Sequence, residues 1–280
     1  MYNIARDFDM KRAAEVLRDR GFVIIPGYES QCSVTVQKYF SEFLGRWSPE
    51  MLRNFTFCVE DRLDGTCDAD DGFLDLSGSH RKLHKDVKQL FHYRPELWEL
   101  TAQKLKVGGY PIGLYFEVVE LLRRCQHVYG YHSSIASALL QAFDSLEVVS
   151  CSLHDALQES LKKPGVTSRA VLRLLDYPPQ KGTVRAGVHF DRSALTLHAG
   201  DEGGVLYVRH PDGSEEDVSP KEGEILAFLG EKARILTQDG ANVLQPVAHG
   251  SRAEDGKRRR AIVSFWHVNV VLWDSPKVPY

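Results

Sequence analysis

The sequence predicts an α+β fold, because the two parts of the chain carry different hydrophobic patterns. Residues 1–165 place apolar side chains at the three- and four-residue spacing of amphipathic helices. Residues 166–280 instead contain short β-branched runs between turn residues such as Pro178-Pro179 and Gly203-Gly204. The length of 280 residues and the 43% hydrophobic content favour one integrated domain, in which the first part supports the second.

The first part is predicted to be mainly helical, with one short strand. Helices are expected at residues 10–20, 34–44, 95–105 and 112–146, the last with a break near Gly130. The apolar run from Phe22 to Ile25 follows Gly21 and precedes a Pro-Gly turn, which is typical of a strand.

The second part is predicted to be a set of antiparallel strands. They are expected at residues 170–175, 183–188, 194–197, 205–208, 225–228 and 261–268. Asp212-Gly213 between two runs predicts a hairpin. Evenly spaced short strands with such turns indicate a sandwich or barrel. We therefore expect a C-terminal double-stranded β-helix (a cupin-like jelly roll) with the N-terminal helices packed on its outside.

One of these strands carries a candidate metal site. In the segment Gly187-Val188-His189-Phe190-Asp191, side-chain alternation points His189 and Asp191 to the same face. His249 is the best candidate for a third ligand, because a jelly roll brings distant strands side by side. Two imidazoles and one carboxylate on one face of an octahedral ion leave three positions open. This is the ligand set of oxygen-activating iron(II) sites.

A basic run follows His249 and begins the last predicted strand. An arginine in a barrel mouth can bind a carboxylate through two parallel hydrogen bonds. Because side chains alternate, only one of Arg259 and Arg260 can face the pocket, and Arg259 is preferred because the small Ala261 leaves room beside it. A solvated basic turn is the alternative, and it applies to at least one arginine of the run. On its own, a His-x-Asp pattern is weak evidence for a metal site. The presence of His249 and of this basic run makes that evidence more specific.

With these residues in place, the chain resembles the isopenicillin N synthase-like branch of the iron(II)/2-oxoglutarate-dependent dioxygenases. The resemblance covers most of the chain, and its short motifs are jointly specific. They are Leu172-Arg173-Leu174-Leu175-Asp176-Tyr177-Pro178-Pro179, Gly187 to Asp191 with Leu195-Thr196-Leu197, Gly203-Gly204-Val205-Leu206-Tyr207-Val208, Pro246 to Gly250, Gly21 to Pro26 and Phe91 to Glu96.

The resemblance implies both a metal and a co-substrate. The expected Fe(II) ligands are His189, Asp191 and His249. The expected contacts to 2-oxoglutarate are Tyr177 and either Arg259 or Arg260. O2 is the implied oxidant, with ascorbate as an optional reductant. The implied reaction is hydroxylation, desaturation or cyclisation of a small molecule derived from an amino acid, a peptide or a natural product.

Two departures from the family pattern leave a second function open. Leu175 stands where the family often has asparagine, and Ala261 stands where the family's Arg-x-Ser motif has serine. A same-fold iron oxidase that does not use 2-oxoglutarate is therefore the first alternative. A non-catalytic jelly-roll binding module is the second, although such a module does not need an intact His-Asp-His set.

Composition argues against several other partners. The formal net charge of -3 does not favour nucleic acid. No apolar run approaches the roughly 20 residues that a membrane helix needs. The N-terminal residues lack the order of a signal peptide, and the five scattered cysteines contain no CxxC pair. The sequence thus predicts a cytoplasmic enzyme with a small-molecule substrate, and it does not indicate an oligomeric state.

Overall fold

The computed structural model describes residues 8–27, 30–59, 69–75, 87–146, 152–162, 170–236 and 244–267. Within these ranges it combines α-helices with antiparallel sheets, as the α+β prediction requires. The helices are α1 (Met10–Arg20), α2 (Ser30–Arg46), α3 (Pro49–Arg53), α4 (Leu97–Val107), α5 (Ile112–Asp144) and α6 (Leu153–Lys162). A 3-10 helix also spans Glu231–Leu236. None of the helices in the described ranges has the length and apolarity of a bilayer-crossing segment.

The strands form two sheets. They are β1 (Phe22–Pro26), β2 (Thr56–Val59), β3 (Ala69–Asp75), β4 (Gln89–Tyr93), β5 (Val171–Tyr177), β6 (Val184–His189), β7 (Leu195–Glu202), β8 (Gly204–Arg209), β9 (Glu215–Asp217), β10 (Glu224–Leu229), β11 (His249–Ala253) and β12 (Arg259–Trp266). The large sheet has the order β1-β10-β7-β12-β5-β4-β3-β2, and the small sheet has the order β6-β11-β8-β9.

The first helix forms where its capping residues predict it. The Asp9 side chain accepts a hydrogen bond from the Arg12 backbone N–H at 3.0 Å, which satisfies one of the free N–H groups of the first turn. Gly21 ends the helix with a φ of 76°. The helix buries Ala13, Ala14 and Leu17. The predicted bounds of residues 10–20 are therefore confirmed.

The long helix α5 is continuous, so the break expected near Gly130 does not occur. Its apolar residues recur every three or four positions, and they bury one face along its whole length, from Leu114 to Phe143. This packing stabilises the helix across Gly130, since a glycine within a helix costs only about 1 kcal/mol. The helix packs against α1, α2 and α6 and against strands of the large sheet.

The two faces of the large sheet have different partners. Leu172, Leu174 and Ile262 share one core cluster with the helices, on the face that we name the outer face. Leu175, Tyr177 and Ala261 belong to a separate cluster on the opposite, inner face. Strand alternation produces this separation, so one sequence position decides which environment a side chain meets.

Strands from the first part of the chain extend the large sheet. β1 pairs with β10, and β4 pairs with β5. The prediction of a mainly helical first part missed β2, β3 and β4. β2 and β4 are short, and β3 begins with the polar residues Asp70 and Asp71, so a period-2 signal is weak in all three. The Asp212-Gly213 hairpin between β8 and β9 is confirmed, and Gly213 adopts a φ of 85°.

A buried histidine makes the stability of this fold dependent on pH. His132 of α5 is fully buried, with Nδ1 at 2.8 Å from the Ser264 hydroxyl. Burial, assisted by nearby His198, lowers the pKa of His132 to about 3. The unfolded state binds a proton below about pH 6.5, whereas the folded state stays neutral down to the lowered pKa. Between these values the histidine should reduce the free energy of unfolding by about 1.4 kcal/mol per pH unit as the pH falls.

Urea unfolding at stepped pH measures this effect. Because carboxylates titrate in the same window, the comparison is with His132→Gln, which removes only this proton site. The free energy of unfolding should fall less steeply for the variant than for the wild type as the pH falls. Equal slopes for the two proteins would show that His132 is not the source.

Candidate metal centre

His189, Asp191 and His249 meet at one point between two strands and a turn. His189 ends β6, His249 begins β11, and these two residues are register partners in the small sheet. His189 Nε2 lies 3.6 Å from Asp191 Oδ1, and His249 Nε2 lies 3.8 Å from Asp191 Oδ2. One candidate ligand atom from each residue lies within 4.8 Å of the other two. The structure thus brings together all three residues that the sequence singled out.

These separations fit a metal ion. Ligand bonds of about 2.1 Å place adjacent ligands of an octahedral ion about 3 Å apart. The measured separations are slightly wider than this, so a small inward movement of the side chains would complete the site. His189 keeps 47% of its side chain exposed, whereas Asp191 and His249 are buried, which leaves the site open on the His189 side.

Both imidazoles have the tautomer that a metal ligand needs. His189 Nδ1 lies 2.8 Å from the Gly187 carbonyl, and His249 Nδ1 lies 3.0 Å from the Val247 carbonyl. A carbonyl can only accept, so each Nδ1 must carry the hydrogen and donate it. The Nε2 lone pairs then face the shared centre, and the backbone holds both rings in that orientation.

The charge state of the site also suits a cation. Burial alone would raise the pKa of Asp191, but the adjacent His189 ring, whose Nε2 lies 3.6 Å from Oδ1, and the field of His249 outweigh it and lower the pKa to about 2. The hydroxyl of Thr196 donates to Asp191 Oδ2 at 2.8 Å and supports the same ionised form. Burial lowers the pKa of His249, whereas the adjacent Asp191 carboxylate raises the pKa of His189. The site thus contains one carboxylate and at least one neutral imidazole, both in metal-binding form.

Gly230 supports the turn that carries Asp191. A Cβ at this position would lie 2.7 Å from the Asp191 carbonyl oxygen and would also overlap the Ser193 carbonyl. Gly230→Ala should therefore displace this turn and lower the free energy of unfolding by about 1–3 kcal/mol. Urea unfolding and Fe(II) titration of the variant measure both effects.

The matched control for this variant is Gly45→Ala in α2, where an added Cβ meets no atom within 4 Å. An alanine inside a helix should raise the free energy of unfolding by up to about 1 kcal/mol. If both alanine variants unfold alike and bind Fe(II) alike, close packing at Gly230 does not hold the turn.

Arg259 and Tyr177 lie together on the inner face, as register partners of β12 and β5. Both are buried, and the guanidinium carbon of Arg259 lies 5.3 Å from the centre of the Tyr177 ring. Arg259 Nε lies 2.7 Å from Asp201 Oδ1, and Nη2 donates to Asp201 Oδ2 at 2.8 Å. Burial would lower the pKa of Arg259, but the Asp201 carboxylate outweighs it and raises the pKa. This buried ion pair was not expected from the sequence.

Arg260 lies on the opposite face of β12, as alternation requires. Its side chain donates to Glu202 at 2.9 Å and approaches Asp176 at 3.8 Å. The structure therefore does not bring Arg260 to the inner face, where Arg259 lies. The two departures from the family pattern, Leu175 and Ala261, are direct register partners and form an apolar patch beside Arg259.

No protein-family model and no curated protein sequence matches the chain. Solved structures do match over most of its length. A 2OG-Fe(II) oxygenase family protein from Caulobacter crescentus is 20% identical, with a TM-score of 0.62 over 93% of this chain and 83% of its own. A full-length Neurospora crassa protein, solved in complex with alpha-KG, is 18% identical, with a TM-score of 0.65 over 93% and 79%.

The Arabidopsis thaliana dioxygenase for auxin oxidation 1, in a complex with 2-oxoglutarate, is 16% identical, with a TM-score of 0.63 over 95% and 91%. At such identities a structural likeness shows the fold. The chain therefore has the fold of the 2-oxoglutarate- and iron(II)-dependent oxygenases.

Proposed function

We propose that the protein is an Fe(II)- and 2-oxoglutarate-dependent oxygenase that oxidises a small molecule. The observation that carries the proposal is the convergence of His189, Asp191 and His249, with both Nε2 lone pairs turned towards Asp191. A carboxylate and two neutral imidazoles on one side of an ion are the ligand set of oxygen-activating iron sites. The fold shared with enzymes of this chemistry adds support.

The proposed architecture is a double-stranded β-helix within one integrated domain. From β5 to β8, consecutive strands alternate between the large and the small sheet, as they do again from β10 to β12 through β11. This alternation supports the assignment, because it brings remote strands side by side at one end of the barrel. The pairing of β1 with β10 and of β4 with β5 supports integration of residues 1–165 with residues 166–280.

Each residue around the proposed metal has a separate role in the reaction. Bound Fe(II) supplies the activation of O2 at the expense of 2-oxoglutarate. Thr196 holds the Asp191 carboxylate ionised and oriented, and the Gly187 and Val247 carbonyls hold the two imidazoles. Arg259 is proposed to bind the distal carboxylate of 2-oxoglutarate through the guanidinium edge that Asp201 leaves available, with Tyr177 beside it. The apolar patch of Leu175 and Ala261 excludes water from this part of the pocket.

A small-molecule substrate is the part of the proposal that rests on the neighbours. The Arabidopsis neighbour is named for auxin oxidation, and the Neurospora crassa neighbour was solved with alpha-KG. The reaction is proposed to be hydroxylation, with desaturation or cyclisation as variants, since all begin with the same oxidation of a substrate carbon.

Succinate release tests the proposal. The protein is loaded with Fe(II) anaerobically and then exposed to O2 with and without 2-oxoglutarate, and succinate is measured. Succinate should form only when iron, O2 and 2-oxoglutarate are all present. Oxygen consumption that does not depend on 2-oxoglutarate would reject the proposal.

The second candidate is an iron oxidase of the same fold that does not use 2-oxoglutarate. Two observations favour it: Asp201 already neutralises Arg259, and the Leu175–Ala261 pair offers no hydrogen bond to a co-substrate. The same experiment separates the candidates. An oxidase would consume O2 only with its own organic substrate, and it would release no succinate.

A further inference from the structure

Arg173 is a functional candidate that the metal site does not account for. It lies in the middle of β5, on the same face as Leu175 and Tyr177, which is the inner face of the large sheet. Its register partner on β12 is Val263, between Arg259 at one end of the strand and Phe265 at the other. Arg173 is therefore set closer than Arg259 to the metal end of the barrel.

A short chain of contacts connects Arg173 with the metal ligands. The guanidinium carbon lies 4.6 Å from the centre of the Phe265 ring. Phe265 is the register partner of Thr196, whose hydroxyl donates to Asp191. Burial lowers the pKa of Arg173, and the Asp191 carboxylate opposes this shift, so the two groups feel each other's charge. A ligand of Arg173 would thus lie in the same pocket as the metal.

The contacts that Arg173 makes with the described residues include no counter-ion. Its Nε donates to His92 Nε2 at 2.6 Å, and its guanidinium stacks on Phe265. Among the described residues no carboxylate lies within ion-pair distance of it. Placing an unpaired cation in buried surroundings is costly, so a bound anion beside Arg173 would be stabilising.

Two other buried arginines show how the fold normally treats such a side chain. Arg259 is paired with Asp201, and Arg185 donates to the carbonyls of Gly182, Glu254 and Lys257. Both are almost fully buried, whereas Arg173 keeps part of its surface accessible. A side chain that is enclosed yet partly accessible can be reached by a small molecule.

We propose that Arg173 binds a carboxylate of the primary substrate, so that the substrate is a small carboxylic acid. Its two terminal nitrogens can form the fork that a carboxylate fits, because Nε is already used by His92. One guanidinium matches the single charge of a carboxylate. Phe265 provides an apolar wall beside it. The identification of this group as part of the substrate rests on the function proposed above.

The alternative ligand of Arg173 is the distal carboxylate of 2-oxoglutarate. Arg259 and Tyr177 lie at the far end of β12 and β5, which is where the family resemblance places that group. Arg173 lies nearer than Arg259 to the metal ligands, because its neighbour Phe265 is the register partner of Thr196. The test must therefore measure acid binding and 2-oxoglutarate binding separately.

Acid binding is tested on metal-free protein. Thermal unfolding is followed at constant ionic strength with acetate, benzoate and phenylacetate and with the matched amides acetamide, benzamide and phenylacetamide. At least one acid should stabilise the wild type, with affinity about tenfold or more above its amide. Arg173→Gln should remove this preference. If no acid exceeds its amide, or if the variant keeps the preference, the proposal is overturned.

Two further variants keep the test interpretable. Arg173→Met retains an apolar stem over Phe265 and replaces Arg173→Gln if the latter does not fold. Arg123→Gln changes an exposed arginine of α5, with 66% side-chain exposure, and should keep the acid preference. Loss of the preference in this control would trace the effect to net charge and would overturn the assignment to Arg173.

The co-substrate arm uses Fe(II)-loaded protein and calorimetric titration with 2-oxoglutarate. Arg173→Gln should leave the Kd of 2-oxoglutarate unchanged within about threefold. A larger increase would assign the carboxylate to the co-substrate and overturn the proposal. Failure of the proposed function would look different, because the wild type would then release no succinate while its acid binding on metal-free protein remained measurable.

Discussion

Asp191→Ala should abolish stoichiometric Fe(II) binding and reduce 2-oxoglutarate-dependent succinate release by about a thousandfold or more. Asp191 supplies the only anionic ligand of the proposed set, and it lies within 3.8 Å of both imidazole Nε2 atoms. Without it, two neutral imidazoles must hold a divalent cation alone. Anaerobic Fe(II) titration and succinate assays measure the two losses directly.

The matched control is Asp155→Ala on α6, whose side chain is 80% exposed. It should bind Fe(II) and release succinate like the wild type. The Asp191→Ala protein should remain folded, because the change removes a buried charge and leaves no unpaired buried cation. Thermal unfolding of the metal-free variant checks that it is folded. A folded Asp191→Ala protein that still binds one Fe(II) would contradict the assignment of this residue as a ligand.

The parts of the fold that sequence could predict are those with local patterns. Helix α1 has a capping aspartate at one end and a glycine at the other, and its predicted bounds agree with the structure. β6 and β10 each lie between turn residues, and their positions were predicted within one or two residues. Alternation also predicted that His189 and Asp191 share one face, and the structure brings them together, although β6 ends at His189 and Asp191 lies in the turn that follows. Such signals need no knowledge of partner strands.

The parts that sequence could not predict depend on distant residues. β4 becomes a strand because β3 and β5 lie on its two sides. The Arg259–Asp201 pair has a more specific cause. The inner face of β7 carries Thr196 and His198, and strict alternation would point Asp201 outwards. Gly200, with a φ of 65°, is an extra residue in the pairing of β7 with β12, and this bulge turns Asp201 inwards.

Arg173 was present in a motif but could not be recognised as functional. Its motif indicated only a strand ending in tyrosine and proline. Arg173 stands out because it lies on the inner face of the large sheet with no carboxylate partner among the described residues, and this is visible only in the folded structure. A buried charge is identified by the groups around it, which the linear sequence does not contain.

Arg259→Met should produce the second large effect, on two separate properties. The KM for 2-oxoglutarate should rise about a hundredfold, because loss of a buried charge pair costs about 2–5 kcal/mol of binding. The free energy of unfolding should also fall by about 3–5 kcal/mol, because Asp201 would remain buried without its cation. Steady-state succinate assays and urea unfolding measure these separately.

The double variant Arg259→Met/Asp201→Asn distinguishes co-substrate binding from structural support. The Asp201→Asn change replaces the unpaired buried carboxylate with an amide. Because an amide is less costly to bury, most of the lost stability should be recovered. The KM for 2-oxoglutarate should stay high, since no guanidinium returns. If stability and KM recover together, Arg259 acts only by neutralising Asp201. In that case the distal carboxylate of 2-oxoglutarate must be bound by another cation, such as Arg173 on the inner face or Lys88 beside Tyr177.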